Sequence, residues 1–497
     1  MAQTQVFNLV DEAWIPIAGK SSASLREIFA REDIDALGGN PMQKIALLKL
    51  CLVIAQAAYT PEDNAAWSAL GAKGLGKACL AYLEKWREVF WLYGEKPFLQ
   101  MPAIARAKKM SFGALLPHIA TGNTTVLLDL HRERPMSDAE KALLTVVLMG
   151  FGFGGKKTDN SVVLTPGYTG KNNDKGKAGT GKPGAHLGFL GYQHHFLSGS
   201  SLLESIWFNM LTLDDLRVLA VFPEGVGTPL WERMPAGEDC ATARALKNSL
   251  MGRLVPLSKF VLLAEDGIHY SDGILHANHK AGGFDPSIAM DQSGKDAKAL
   301  WVDPERQFLR DLPVLLTFLA GRQGMRCFGL ERGIARVRER SSRFGVWAGG
   351  IRVSSNAGEQ YASGSDDFVE STVQLVSEDV GEPWFVALES EMRELDALSR
   401  ALYAAVRGYG REQKVNDDAQ AKAASAMFWQ LCNRQSQALV DACAKMAVGD
   451  SRQIEKLRPV FAAFVHDAYD SVCPRDTARQ MEYWAKNRPK MAKYLTQ

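Results

Sequence analysis

From about residue 385 to its end, the sequence carries one dominant signal: alanine-rich stretches whose apolar residues recur at a 3.6-residue period. Ile454, Leu457, Phe461, Phe464 and Ala468 fall on one face of such a helix. Similar stripes recur over 421–448 and 477–495, separated by polar breaks at Gly449-Asp450 and Cys473-Pro474. Amphipathic helices joined by short breaks bury their stripes against one another, so 383–497 is expected to form a C-terminal four-helix bundle. Pro459, inside one stripe, implies a kink or a late helix start.

The remaining residues, 1–382, mix patterns. Strand-like runs open the chain at Val6–Val10 and Trp14–Ile17. Dense apolar periodicity over 41–59 and 75–93 predicts buried helices. Ser137 and Glu140 form a capping box that opens a helix through Met149. Several short strands are expected between about 255 and 380. The fold class read from this is α+β, with a large mixed globular domain (1–382) ahead of the bundle; 497 residues are too many for one ordinary domain.

Charge and cysteine usage narrow the function classes. Lys and Arg number 58 against 56 Asp and Glu, a net of +2, so any nucleic-acid contact must come from local patches rather than a polycationic body. Seven scattered cysteines with no C-x-x-C pair predict buried free thiols and exclude a zinc ribbon. Met1 to Gln5 carry no leader pattern, and the apolar stretch 46–59 is interrupted by Lys49 and Gln56. A cytoplasmic location is expected.

Three segments carry chemistry. The first is a glycine-rich tract over 150–184, whose six lysines and two aspartates between Gly155 and Gly184 give a local charge of +4. Glycine lets backbone N–H groups approach a ligand closely, and lysines neutralise phosphates. The candidate residues are Gly152, Gly154, Gly155, Lys156, Lys157, Lys177, Gly179, Gly181 and Lys182; the alternative is a solvated loop. The tract is not a dinucleotide fingerprint, because a helix precedes it where that motif needs a strand. Nor is it a P-loop, because Lys157 stands where Ser or Thr would hold magnesium.

The second is a turn, Leu275 to Gly283, bearing Lys280 between small residues. Its His276 and His279 read as surface histidines, and no carboxylate or thiol at suitable spacing completes a metal site. The third is a β-hairpin predicted after Gly349-Gly350, with Arg352 leading into a tip at Asn356, Ala357, Gly358 and Gln360. Arg336, Arg338, Arg340 and Arg343 form a basic cluster upstream. Polar tip residues beside arginines suit base edges and phosphates, although many such tips only turn. His194-His195, in an aromatic context, reads as core or interface. No nucleophile–base or paired-carboxylate motif stands out, so the sequence makes no positive case for an enzyme; a nucleotide-dependent enzyme, a nuclease and a pure scaffold remain the alternatives.

Taken in order, these segments resemble the large subunit of the type I-E CRISPR surveillance complex, the CasA family of Cascade. Asn8 to Ile17 is similar to that family's NLxxxxWIPV opening, Glu95 to Gln100 to its HPFMQ segment, and Ala426 to Leu431 to an aromatic helix of its bundle. The resemblance spans nearly the whole chain. It implies a non-catalytic, cofactor-free subunit that binds double-stranded DNA at the protospacer-adjacent motif, helps open the duplex and recruits a helicase-nuclease. Its partners would be the other Cascade subunits and the CRISPR guide RNA. The tract would be the family's glycine loop, in register at Gly152–Lys157 or Gly179–Gly184. Lys280 would be its lysine finger and the 356–360 tip its wedge. A loop from Asn123 to Arg134 would contact the guide RNA's 5′ handle through Asn123, Thr124, Leu128, Asp129, His131 and Arg132. Cysteine pairs that bind zinc in some relatives are missing, so no metal is expected.

Overall fold

In the computed structural model, the described residues are 5–19, 21–116, 135–155, 157–179, 191–356, 359–362 and 367–495. They fall into two compact units. One comprises Met1–Val302, Cys327–Arg340 and Val346–Glu370; the other comprises Asp303–Arg326, Ser341–Gly345 and Ser371–Gln497.

The first unit is built around the helix Pro41–Ala58, which packs against helices Asn64–Lys85 and Asp138–Phe151. Asn40 and Gln43 close a capping box at its start, with Pro41 in the first turn. It is long and apolar enough to cross a membrane by composition, but most of its surface is buried inside the fold. The two polar interruptions read from the sequence are satisfied internally. Lys49 Nζ lies 2.5 Å from Asp285 Oδ2, and Gln56 donates to Leu211 O at 3.0 Å. Asp285 Oδ1 accepts from Ser287 N and Oγ, and Ser287 Oγ meets His194 Nδ1 at 2.9 Å. His194 and His195 are therefore core residues, buried with this network.

The opening motif is structural. Val6–Asn8 pairs antiparallel with Trp91–Tyr93, Trp14 donates its indole N–H to Leu9 O at 2.9 Å, and Ile15–Pro16 pairs with Ser22–Ala23. That pairing corrects the helix expected over 75–93. The helix runs from Asn64 to Lys85, kinked at Gly71, and residues 91–93 become a strand because Val6–Asn8 supplies their ladder partners. The helix opened by the Ser137–Glu140 box is present and runs to Phe151. Strands Lys259–Ala264 and Gly267–Asp272 form a hairpin joined by Lys109–Met110. Arg343–Ile351, mostly in this unit, pairs with His194–Ser198. All seven cysteines are free and six are buried.

In the second unit, helix Glu382–Gln413 packs against Asp418–Arg434, Ser436–Ala447, Arg452–Val472 and Ala478–Asn487. The stripe at 421–448 is broken once, at Gln435, whose φ of −101° and ψ of 12° leave the helical region. The helix containing Pro459 begins at Arg452, so the late-start alternative is excluded and the proline sits inside it. Buried Leu395, Leu402, Phe428, Leu439, Phe461 and Val465 supply the apolar interior. Arg458 pairs with Glu391 at 2.6 Å, and Trp429 donates to Ser399 Oγ at 3.1 Å. The chain is thus α+β, with its longest helix, Glu382–Gln413, opening a run of helices at the C-terminal end.

Candidate nucleic-acid interface

The glycine tract is not one exposed loop. Its first part, where helix Asp138–Phe151 ends at Gly152, folds inward: Gly152, Gly154 and Gly155 are buried. A Cβ on Gly152 would lie 2.2 Å from Lys259 Cγ and 2.7 Å from the Tyr270 hydroxyl, so close packing demands glycine there. The same hydroxyl donates to Phe153 O at 2.9 Å. Lys157 is half-buried, and Lys156 lies outside the described residues.

Further on, one lysine of the tract turns into the core. Lys171 Nζ lies 2.6 Å from Glu238 Oε1 and donates to Val162 O at 2.8 Å and Ser271 Oγ at 3.0 Å. Burial lowers the pKa of this ammonium, against the pull of Glu238. Burial opposes the charge on Glu238 as well, yet Lys171 and the backbone N–H groups of Leu164 and other neighbours hold its pKa below the usual range. Lys171 is therefore an anchor with its charge already matched, and the +4 counted along the tract overstates what faces solvent. From this anchor the chain turns tightly. Asn173 Oδ1 accepts from Lys175 N and Lys177 N, Gly176 has a φ of 70°, and Gly179 N donates to Lys171 O. Lys175 and Lys177 are exposed on this turn. Gly179 is half-buried, its carbonyl accepting from Asn160, which also donates to Asp272 at 2.7 Å. Gly181 and Lys182 lie outside the described residues.

Lys280 sits exposed in a single 3₁₀ turn, His279–Ala281, capped by Asn278 and closed by Gly282 at a φ of 80°. The histidines beside it are not at the surface, as the sequence suggested. His276 Nε2 meets Pro256 O at 2.6 Å and its Nδ1 meets Arg253, while His279 Nδ1 takes the Tyr192 hydroxyl at 2.8 Å. Both are struts that hold the turn, His276 through both ring nitrogens and His279 through Nδ1. Tyr192 also stacks on Trp301, with centroids 4.4 Å apart.

The predicted hairpin is present. Ser354–Asn356 pairs with Glu359–Tyr361, setting Ser355 opposite Gln360 and Asn356 opposite Glu359. Ala357 and Gly358 lie outside the described residues. Arg352, at the hairpin's root, is committed: its Nη2 lies 2.6 Å from Asp367, and its backbone N–H donates to Asp367 O at 2.8 Å. Among the upstream arginines, Arg336 is removed from the basic cluster by burial. It pairs with Asp215, donates to Met210 O and lies over the Trp67 ring. Arg338, Arg340 and Arg343 are exposed.

Tyr192 joins two of these pieces. A Cβ on Gly350, just before the hairpin's root, would come within 2.7 Å of Tyr192 O, while the Tyr192 hydroxyl holds His279 next to Lys280. The glycine-tract turn is tied through Lys171 and Asn160 to Ser271 and Asp272, at the end of the strand that leads to Lys280. Sequence reasoning missed Tyr192, Trp301, Glu238 and Asp367. Only the aromatic context of Tyr192 gave a local sign, since each partner is distant in the chain. The handle residues Asn123, Thr124, Leu128, Asp129, His131 and Arg132 lie outside the described residues. Among the described residues, no three His, Cys, Asp or Glu side chains gather as a metal site.

Residues 8–487 match the sequence profile of the family described as CRISPR-associated protein Cse1. The chain belongs to the Cse1 family. It is 27% identical over 351 residues to CasA/Cse1 of Thermus thermophilus, a match covering 65% of this chain and 62% of that relative's length. Its fold is similar to the crystal structure of Thermobifida fusca Cse1, with a TM-score of 0.73, 18% identity, and coverage of 99% and 98% of the two chains. A chain of a structure titled "CRISPR RNA-guided surveillance complex" is similar too, with a TM-score of 0.69, 18% identity, and coverage of 97% and 98%. In this Cse1-family chain, the opening at Asn8–Ile17 is thus a packing motif, and Lys175, Lys177 and Lys280 are exposed.

Proposed function

We propose that this chain is the non-catalytic large subunit of an RNA-guided surveillance complex. It reads a short protospacer-adjacent motif in double-stranded DNA, helps start strand separation beside it and recruits a helicase-nuclease. Family membership supports the class of protein. The observation that carries the reading is the shared support on Tyr192 of the turn bearing Lys280 and the strand leading into the hairpin.

The physics of the role fits such a site. The minor groove presents a degenerate pattern, so a lysine and backbone groups read it only loosely. Inserting a hairpin tip unstacks a base step at a cost of roughly a few kcal/mol, offset by contacts to the strands. Pairing with the guide RNA then supplies sequence specificity. Within this reading, 1–382 carries the DNA-reading loops and 383–497 is a helical module. Residues 123–134 hold the guide RNA's 5′ handle, and the complex works in the cytoplasm without a cofactor. Gly179 to Gly184 is the better register for the glycine loop, because Gly152, Gly154 and Gly155 are buried.

The test is binding of motif-bearing duplex by the assembled complex. Lys280→Ala, or replacement of residues 356–360 by a Gly-Ser run, should weaken binding while guide RNA and the other subunits still co-purify. Unchanged binding in both variants overturns the assignment.

A further inference from the structure

We propose that Trp301 is a stacking platform for a nucleobase unpaired at the opened edge of the target duplex. This rests on the reading of the site just given, and adds to it a residue and a ligand class. Trp301 is 49% exposed, yet its indole is not loose. One face stacks on Tyr192 at 4.4 Å with 18° between planes, and His279 meets its rim edge-on at 5.5 Å. Gly191, at a φ of 80°, brings the backbone so near that a Cβ there would lie 3.1 Å from the ring. The hydrogen bond from Tyr192 to His279 fixes the ring beneath. An aromatic ordered before its ligand arrives loses little side-chain freedom on binding.

The surroundings select the occupant. Lys280 follows His279, and the strand Lys298–Ala299, with Lys298 exposed, packs on that same turn. The nearest carboxylate in register, Asp291 opposite Lys298, is engaged by the N–H and hydroxyl of Ser293. A flat apolar face beside a turn and a strand that each carry an exposed lysine suits a base and its phosphates, whereas an apolar protein surface gains nothing from the lysines. Bases inside a duplex present only their edges, so Trp301 takes one only after a step has opened. The strand that leads into the hairpin is adjacent: a Cβ on Gly350 would meet Tyr192 O and, at 2.5 Å, the Cγ2 of Val302, the residue after the tryptophan.

The experiment uses the assembled complex and target duplexes carrying 2-aminopurine at successive positions beside the motif. Wild type should quench the probe at one position. Trp301→Ala should abolish that quench and weaken duplex binding about tenfold, and Trp301→Phe should keep part of both. Trp301→Leu, which keeps apolar bulk without the planar face, should behave like Trp301→Ala and guards against a folding defect. Full quench in Trp301→Ala alongside weakened binding in Lys280→Ala overturns this inference alone. No loss in either variant overturns the site reading with it. Failure of Trp301→Ala to co-purify with the other subunits, with its melting temperature unchanged, marks a protein contact and also overturns the inference.

Discussion

Lys171 and Glu238 form a 2.6 Å ion pair in which neither side chain is more than 1% exposed. A pair this dry is costly to break from one side, because the surviving charge is left buried and alone. Glu238→Gln should therefore lower unfolding stability by about 3–5 kcal/mol, read as a shifted midpoint in urea. Removing both charges, as Lys171→Met with Glu238→Gln, should recover part of that loss, because the glutamine amide oxygen still accepts from Leu164 N and Thr165 N. Trypsin should cut at Lys175 and Lys177 faster in Glu238→Gln than in wild type, since the turn hangs from this anchor.

Gly152 separates packing from ligand approach. Its missing Cβ would overlap Lys259 Cγ and crowd Leu148 O at 3.0 Å. Gly152→Ala should cost about 1–3 kcal/mol of stability by overpacking, and thermal melting checks it. Gly176, with a φ of 70° and open space around it, fails for a different reason: Gly176→Ala strains the backbone of the Asn173–Lys177 turn without filling any cavity. Its effect should show in duplex binding more than in the melt.

The sequence made visible what depends on neighbours within a turn or two. The Ser137–Glu140 capping box, the stripe through Ile454, Phe461 and Ala468, and the pairing of 354–356 with 359–361 are local, and each is present. Period reports that a face is buried but not what lies across it. Arg336 read as part of a basic cluster because Asp215 and Trp67, its actual surroundings, come from remote segments. His276 and His279 read as surface residues for the same reason: Pro256, Arg253 and Tyr192 are what bury them. At the candidate interface, the lysines were legible by composition, whereas the aromatic pair beside one of them was not.

Exposed lysines should act through charge alone. Lys177 and Lys280 are both on the surface. Lys177→Ala and Lys280→Ala should each leave stability within about 0.5 kcal/mol of wild type. Each should also reduce the steepness of log affinity against log salt by about one phosphate contact. Titration of the assembled complex with duplex at several salt concentrations measures it. An unchanged slope with weaker binding would mean the lysine acts on shape rather than on a phosphate.

His195 should make the fold acid-sensitive. Burial pushes its pKa down to about 4, against the partial support of Ser287 O at 3.3 Å. It lines a cavity with Lys49, Gln56, Asn209, Asp285 and Ser287, where the Lys49–Asp285 pair supplies the charges it faces. In the unfolded chain an ordinary histidine titrates near pH 6.5. Above that pH neither state binds the proton and its contribution to stability is complete. As the pH falls from about 6.5 towards 4, the unfolded state takes up a proton that the folded state refuses, and up to roughly 3 kcal/mol is lost. Urea midpoints between pH 7.5 and 4.5 should fall along this limb. His195→Gln should flatten it, leaving the smaller slope expected from His279 and His466, whose pKa values are also lowered by burial. An equally steep fall in His195→Gln would assign the acid sensitivity to other groups.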